Sequence, residues 1–224
     1  MRSILTTALS TAMLFLMLGA SLAGPDAYRA LGFEPKDVLT STVLTTKVVP
    51  GEAKQIVCIA TYFTGEKDEK RAVNVRLGIF RQSGERLVPL YTRDFGEELG
   101  GGVGNGDLQV LDLDRDGVNE IVLSLDSYAD PLIDQRLAEV LLHDGSEFRV
   151  GWSGPIEYDA TKAVRNVPAE RRDRYVREID IVDTMRTRGI TLFFDKKVVA
   201  IAGQRLPEPK IVEETFPLRP DAAR

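Results

Sequence analysis

The chain has 224 residues, of which 43% are hydrophobic and 28% are charged, and its formal net charge at pH 7 is -5. This composition is typical of a globular protein with a substantial core and excludes an intrinsically disordered chain. The acidic balance argues against nucleic acid as a partner, because phosphate binding requires clustered basic side chains.

The first 23 residues have the organisation of a secretory signal peptide. Arg2 gives a positive start, residues 4–18 are mainly apolar or small, and Ser21 and Ala23 occupy the −3 and −1 positions of a cleavage site before Gly24. We therefore expect residues 1–23 to direct export to the periplasm or out of the cell, with no stable membrane insertion after cleavage. An uncleaved anchor is the alternative, since the apolar stretch is close to the lower length limit for spanning a bilayer.

Residues 24–38 are rich in Pro, Gly and charge, and we predict a flexible N-terminal segment there, with a second poorly ordered end at 217–224. Between them, short apolar runs separated by turn residues predict a single β domain over 39–216. The run QIVCIATYF, residues 55–63, contains Cys58, the only cysteine. An intramolecular disulfide is therefore impossible, and a small buried hydrophobe is the favoured interpretation of Cys58.

The predicted strands fall into three units of four, spanning about 41–95, 108–153 and 175–216. In the first unit, alternation of apolar and polar side chains over 72–82 indicates a half-buried strand. Hairpin turns are predicted at four dipeptides: Pro50-Gly51, Ser83-Gly84, Asp144-Gly145 and Asp195-Lys196. A repeated four-stranded antiparallel unit explains this organisation, and such units must pack on one another because none can bury both faces alone.

Three segments between the strands need separate interpretation. Five glycines between 100 and 106 predict a flexible connection rather than a phosphate loop, because Asp107 and a strand follow where a phosphate loop has lysine and a helix. A short helix is expected over 168–174. The segment 130–142 has some helical propensity, but we predict that it ends as a strand.

Residues 112–120, DLDRDGVNE, place acidic side chains at alternating positions and then at the ninth. Calcium takes six to eight oxygen ligands, and alternate carboxylates in a tight turn can converge on it. Without a cation these carboxylates would repel one another. We therefore predict a calcium site in which Val118 offers its backbone carbonyl and the others their carboxylates: Asp112, Asp114, Asp116, Val118 and Glu120. A plain Asp-Gly turn in solvent is the alternative.

The loop resembles the calcium loop of FG-GAP or VCBS-type repeats, whose pattern is Asp-x-Asp/Asn-x-Asp-Gly-x-x-Asp before an apolar strand. The resemblance is confined mainly to residues 111–125, and the ninth position here is Glu120. A helical EF-hand is excluded because its twelfth position must be acidic and is Leu123 here. The resemblance implies a loop between strands of a β-propeller-like blade, with a structural ion. The fold class expected is therefore all-β, with propeller-blade-like sheets and the closure of the ring left open.

The function expected is an exported, calcium-stabilised binding or interaction module without catalytic activity, and the resemblance implies a protein or carbohydrate ligand. His143 is the single histidine, which limits hydrolytic triads and zinc sites, and no catalytic residue is predicted. One alternative is a secreted hydrolase that cleaves polysaccharide or peptide with a carboxylate pair. Another is an accessory subunit of an envelope complex.

Four aromatic residues could line a sugar- or peptide-binding face: Tyr128, Phe148, Trp152 and Tyr158. Aromatic residues in strands more often pack in the core or across strands. The sequence leaves both interpretations open.

Overall fold

The computed structural model describes residues 23–64, 72–98, 102–128, 133–159, 173–181, 189–198 and 210–217. Its first antiparallel sheet contains four consecutive strands, in the order β1-β2-β3-β4. These are β1 (Val38–Thr46), β2 (Gln55–Thr64), β3 (Ala72–Ser83) and β4 (Arg86–Asp94). The prediction of a mostly β protein that begins with a four-stranded antiparallel unit is confirmed.

The second sheet has seven antiparallel strands, in the order β5 to β11. They are β5 (Val103–Leu111), β6 (Glu120–Ser127), β7 (Asp134–His143), β8 (Phe148–Asp159), β9 (Asp173–Ile181), β10 (Gly189–Val198) and β11 (Lys210–Pro217). Strand β8 pairs with β9, for example at Tyr158 and Tyr175. The second and third predicted units are therefore joined in one sheet rather than separated.

The prediction of a hairpin turn at Asp195-Lys196 is wrong, because both residues lie inside β10. Asp195 pairs with Val176 on one side and with Ile211 on the other, so two ladders hold the backbone extended. The part of the third predicted unit that follows β10, residues 199–209, lies outside the described residues. The arrangement of the sheets as propeller blades stays a prediction.

Apolar side chains of both sheets form one shared core. Strand β2 is buried on both faces, since its odd-numbered residues Val57 and Ile59 enter this core while its even-numbered residues face the other way. From the second sheet, β6 contributes alternate residues: Ile121, Leu123 and Leu125. Each such buried aliphatic side chain contributes about 1.5–3 kcal/mol.

The N-terminal segment covers the other face of the first sheet. A helix, α1 (Ala23–Ala30), and the residues after it bury Ala27, Leu31 and Phe33 against Cys58 and neighbouring side chains. The prediction of a flexible segment at 24–38 is therefore wrong, because one helical turn places Ala27 and Leu31 on the same face. The burial expected for Cys58 is confirmed, and it raises the pKa of the thiol to about 12.

A short 3-10 turn, Pro35–Asp37, leads into β1, and a second helix, α2 (Phe95–Glu98), follows β4. The glycine-rich connection is shorter than predicted, because Gly104 and Gly106 lie in β5. A Cβ atom at Gly106 would lie 2.4 Å from Val75 Cγ1, so the absence of a side chain lets β5 approach the first sheet. There the Gly106 N–H donates to Thr61 Oγ1 over 3.1 Å.

Several predictions lie wholly or partly outside the described residues. The signal peptide at 1–23 is outside except for Ala23, as is the tail from 218 onward. Of the helix predicted at 168–174, residues 173–174 belong to β9 and the rest are outside. The strand expected at the end of 130–142 is confirmed by β7. Among the described residues, no helix combines the length and apolar content needed to cross a bilayer.

Candidate metal centre

The acidic loop connects β5 to β6, which pair antiparallel up to Leu111 and Glu120. Two apolar side chains inside the loop are buried, Leu113 and Val118. Leu113 packs with Val140 and Trp152 on the face of the second sheet that points away from the shared core. The packing of Leu113 fixes the loop against the sheet.

The loop brings together three of the predicted carboxylates. One oxygen from each of Asp112, Asp114 and Asp116 lies within 4.8 Å of the others. The two oxygens of Asp112 accept hydrogen bonds of 3.0 Å from the backbone N–H groups of Asp116 and Gly117. Gly117, at φ +83°, supplies the left-handed residue that this reversal requires.

Asp114 is the most enclosed member of the trio, with 4% of its surface exposed. Its Oδ1 accepts a 3.3 Å hydrogen bond from the backbone N–H of Asp116, and its Oδ2 is buried. The Oδ1 of Asp116 in turn accepts a 2.8 Å bond from the Val118 N–H. These N–H donors hold the three carboxylates close together, with Asp114 buried, Asp112 half-buried and Asp116 exposed.

Glu120 has a different position from the other predicted ligands. It is 1% exposed, and its Oε2 accepts a 2.8 Å hydrogen bond from the backbone N–H of Leu113. It lies outside the group of three converging carboxylates. In this structure Glu120 closes the base of the loop, and Val118 is placed by its buried side chain and its N–H bond to Asp116.

The trio is electrostatically unfavourable by itself. Two unit charges about 5 Å apart repel by about 3 kcal/mol at an effective dielectric constant of about 20. Backbone N–H groups offset part of this repulsion, because hydrogen bonds to a carboxylate favour its charged form. The ligand atoms are carboxylate oxygens, the hard donors that calcium, magnesium and manganese prefer. The residues present therefore fit a hard divalent cation.

Asn119 connects this loop to the first sheet and was missed by sequence reasoning. Its backbone N–H donates to the carbonyl oxygen of Lys47, and its Nδ2 donates to Thr46 Oγ1, both over 2.8 Å. Thr46 ends β1, so the loop contacts the edge of the other sheet. The calcium-loop pattern allows any residue at the position of Asn119. The only signal in the sequence was a polar residue shortly before an apolar strand.

A second polar cluster, the Asp94 network, was also missed. The Asp94 carboxylate accepts hydrogen bonds from Tyr62 Oη (2.8 Å), Asn74 Nδ2 (2.6 Å) and Arg76 Nε (2.9 Å). Burial, and then the hydrogen bond to Asp94, raise the pKa of Tyr62 to about 12. Arg76 also donates to the carbonyl oxygen of Leu31 over 2.9 Å and so holds the segment after α1.

The same network borders a cavity of about 410 Å³ between the first sheet and the segment after α1, lined in part by Phe33, Asp37 and Arg76. The Arg76 guanidinium lies 4.8 Å from the centre of the Phe33 ring. Arg76 binds Asp94 and the Leu31 carbonyl there, and so ties the segment after α1 to the first sheet.

Comparisons of the chain with protein-family models, with curated proteins and with solved structures find no match. The resemblance of residues 111–125 to the calcium loop of FG-GAP or VCBS-type repeats stays a prediction. It depends on the residues of the loop alone.

Proposed function

We propose that the protein is an exported, non-enzymatic binding module whose loop at 112–120 holds one structural calcium ion. The convergence of three carboxylate oxygens within 4.8 Å carries the metal site, and the signal-peptide pattern of residues 1–23 carries export. Backbone N–H bonds to the three aspartates also occur in a plain Asx turn, so the convergence of their oxygens is what favours a cation site.

Calcium is proposed over magnesium because of the kind of ligand that the loop offers. Calcium accepts carboxylates and backbone carbonyls in flexible geometry, whereas magnesium requires near-octahedral geometry and usually retains several waters. A loop of nine residues with alternating carboxylates supplies oxygens from one stretch of backbone. Val118 would add its carbonyl, and Glu120 would add charge from the base of the loop.

The ion would act on stability rather than on catalysis. Residues 112–119 join β5 to β6 and contact the end of β1 through Asn119. Ordering this loop therefore strengthens the contact between the two sheets. We further propose that β1–β4 and β5–β8 are blade-like repeats, since each is a run of four consecutive antiparallel strands. A crystal structure of the whole chain tests this, and sheets that do not share a common axis would refute it.

Calorimetric titration with calcium chloride, with magnesium chloride in a parallel titration, tests the site directly. We expect heat with calcium and a melting temperature that is higher in calcium than in chelator. Asp114→Ala should abolish that rise. Asp144→Ala is the matched control, because Asp144 also precedes a glycine in a turn but lies outside the trio. Absence of heat and of any calcium-dependent rise in the unsubstituted protein would refute the site.

Export is tested separately, by mass spectrometry of the protein recovered from its native cells. Cleavage at the proposed site gives a chain that begins at Gly24. A chain that retains residues 1–23 and sediments with membranes would support the anchor instead.

A further inference from the structure

Tyr128 presents an aromatic ring directly after β6, and 51% of the residue is exposed. One side of the ring packs on the backbone of Gly104, where an added Cβ would lie 3.2 Å from Tyr128 Cε2. The backbone N–H of Tyr128 donates to the Gly102 carbonyl, and its hydroxyl group donates to Asp126 Oδ2 over 3.4 Å. The packing on Gly104 therefore covers one side of the ring and leaves about half of the residue exposed to a ligand.

Planar hydrogen-bonding groups lie beside this ring. Asp126 accepts a 2.7 Å hydrogen bond from Asn105 Nδ2 and a 3.4 Å bond from Arg136 Nη1. Arg136 Nη2 donates to Ser124 Oγ over 2.8 Å. Asp126 pairs with Gly104 of β5 and with Arg136 of β7, so the row crosses three neighbouring strands.

Asn105 reaches this row through an unusual backbone conformation. Its φ is +45°, which non-glycine residues rarely adopt, and it lies where the β5–β6 register shifts between Gly104 and Asp107. Bulges of this kind redirect side chains and are common beside functional sites. Here the shift coincides with an Asn105 amide that donates to Asp126.

The guanidinium of Arg136 binds the carboxylate of Asp126, and Asp134 adds a second negative charge near Tyr128. This excess of negative charge disfavours an anionic ligand. Partial burial, and then Asp126, raise the pKa of Tyr128, so its hydroxyl remains a neutral donor. An aromatic face next to amide, carboxylate and guanidinium groups matches a neutral, polyhydroxylated ligand. A pyranose has a face of C–H groups that can stack on a ring and a rim of hydroxyls that both donate and accept hydrogen bonds.

We infer that these residues form a binding surface for a neutral carbohydrate, here called the Tyr128 surface: Asn105, Ser124, Asp126, Tyr128 and Arg136. The Tyr128 ring stacks on one sugar ring, and the Asn105, Asp126 and Arg136 side chains bind hydroxyls of the same or the next sugar. This inference deepens the proposed binding function and rests on it.

Calorimetric titration of the full chain in calcium chloride with cellohexaose, chitohexaose and maltohexaose, each in turn, tests the inference. We expect at least one to bind in the millimolar range or tighter. Tyr128→Ala should weaken that sugar at least about tenfold, which corresponds to about 1.4 kcal/mol. Tyr128→Phe should retain most of the affinity, because it keeps the ring. Val150→Ala, at an exposed position of the same sheet, should leave the affinity unchanged.

The outcomes separate this inference from the calcium proposal. Circular dichroism and the calcium-dependent melting temperature are measured on every variant, and Asp126→Asn serves as a second variant that preserves shape. If none of the three sugars binds, or if binding survives in Tyr128→Ala, the carbohydrate inference is overturned even where the calcium effect persists. Absence of the calcium effect in the unsubstituted protein overturns the metal site instead.

Discussion

The Asp94 network and the acidic loop hold carboxylates under contrasting conditions. The Asp94 side chain is 12% exposed and lies against the guanidinium of Arg76, which is 29% exposed. In the loop, Asp112, Asp114 and Asp116 instead place three negative charges together. One cluster contains its own cation, and the other offers an oxygen-rich site for a cation from solution.

The two clusters should differ in how their contribution to stability depends on calcium. A guanidinium stays protonated at any ordinary pH and cannot leave the protein, so the Asp94 network stabilises the fold whatever the solvent contains. A calcium site stabilises only when calcium is present, because a ligand that binds the folded state adds stability according to its concentration. Calcium should therefore change the effect of substitutions in the loop and leave those in the Asp94 network unchanged.

The largest expected effect is that of Arg76→Ala. Removing one partner of a buried ion pair leaves the other charge uncompensated, and we expect a loss of about 3 kcal/mol in the free energy of unfolding. The loss of the bond to Leu31 acts in the same direction, because it releases the segment after α1. Urea denaturation in calcium and in chelator should give the same loss.

Arg81→Ala is the matched control, since Arg81 pairs with Glu52 at the surface, where its side chain is 51% exposed. Such a pair contributes at most about 1 kcal/mol. In a double-mutant cycle, Arg76→Ala and Asp94→Ala should be strongly non-additive. A loss no larger than that of Arg81→Ala, or one that changes with calcium, would contradict the contrast between the two clusters.

The next effect is a change of sign for Asp114→Asn. In chelator this substitution removes one of three mutually repelling charges while keeping an acceptor for the Asp116 N–H. We expect unfolding free energy to stay level or rise by up to about 1 kcal/mol. In calcium the variant should lose the binding contribution, which is about 2.7 kcal/mol for calcium at 100 times its Kd.

Thermal and urea unfolding of both proteins, with and without chelator, measure this reversal. Asp94→Asn is the comparison, because it should destabilise the protein in both conditions. The contrary outcome is that Asp114→Asn destabilises the protein in chelator as much as Asp94→Asn does. That result would show that groups of the protein itself, rather than a bound cation, compensate the negative charge of Asp114.

Features that depend on residues close together in the sequence, such as turns and the acidic loop, could be predicted. Three predicted hairpins contain a glycine with positive φ in the structure: Gly51, Gly84 and Gly145. The turn predicted at Asp195-Lys196 contains no glycine, and pairing on both sides keeps that stretch in β10. The convergence of the loop carboxylates was predictable for the same reason, since alternation and Gly117 act within nine residues.

Contacts between distant residues could not be predicted in this way. The Asn119–Thr46 bond joins positions 73 residues apart, and the ion pair of Arg76 with Asp94 joins strands whose register depends on the whole sheet. The packing of α1 depends on the apolar outer face of β2. The sequence pattern of β2 shows that this face is apolar but does not show which segment covers it. The role of Glu120 also depends on tertiary structure, because its acceptance of the Leu113 N–H follows from how the loop closes.

The smallest expected effect concerns Asp144, a carboxylate held by its own turn at the surface. Backbone N–H groups of Ser146 and Glu147, then the Ser146 hydroxyl, lower its pKa from 3.8 to about 2. A lowered pKa stabilises the folded state above pH 3.8, and this contribution is lost as the pH falls through about 2. Asp144→Asn should therefore lose less stability than the unsubstituted protein between pH 4 and pH 2. An NMR titration of the Asp144 carboxyl checks the cause directly, and an ordinary pKa there would show that N–H donors alone do not hold a carboxylate in its charged form.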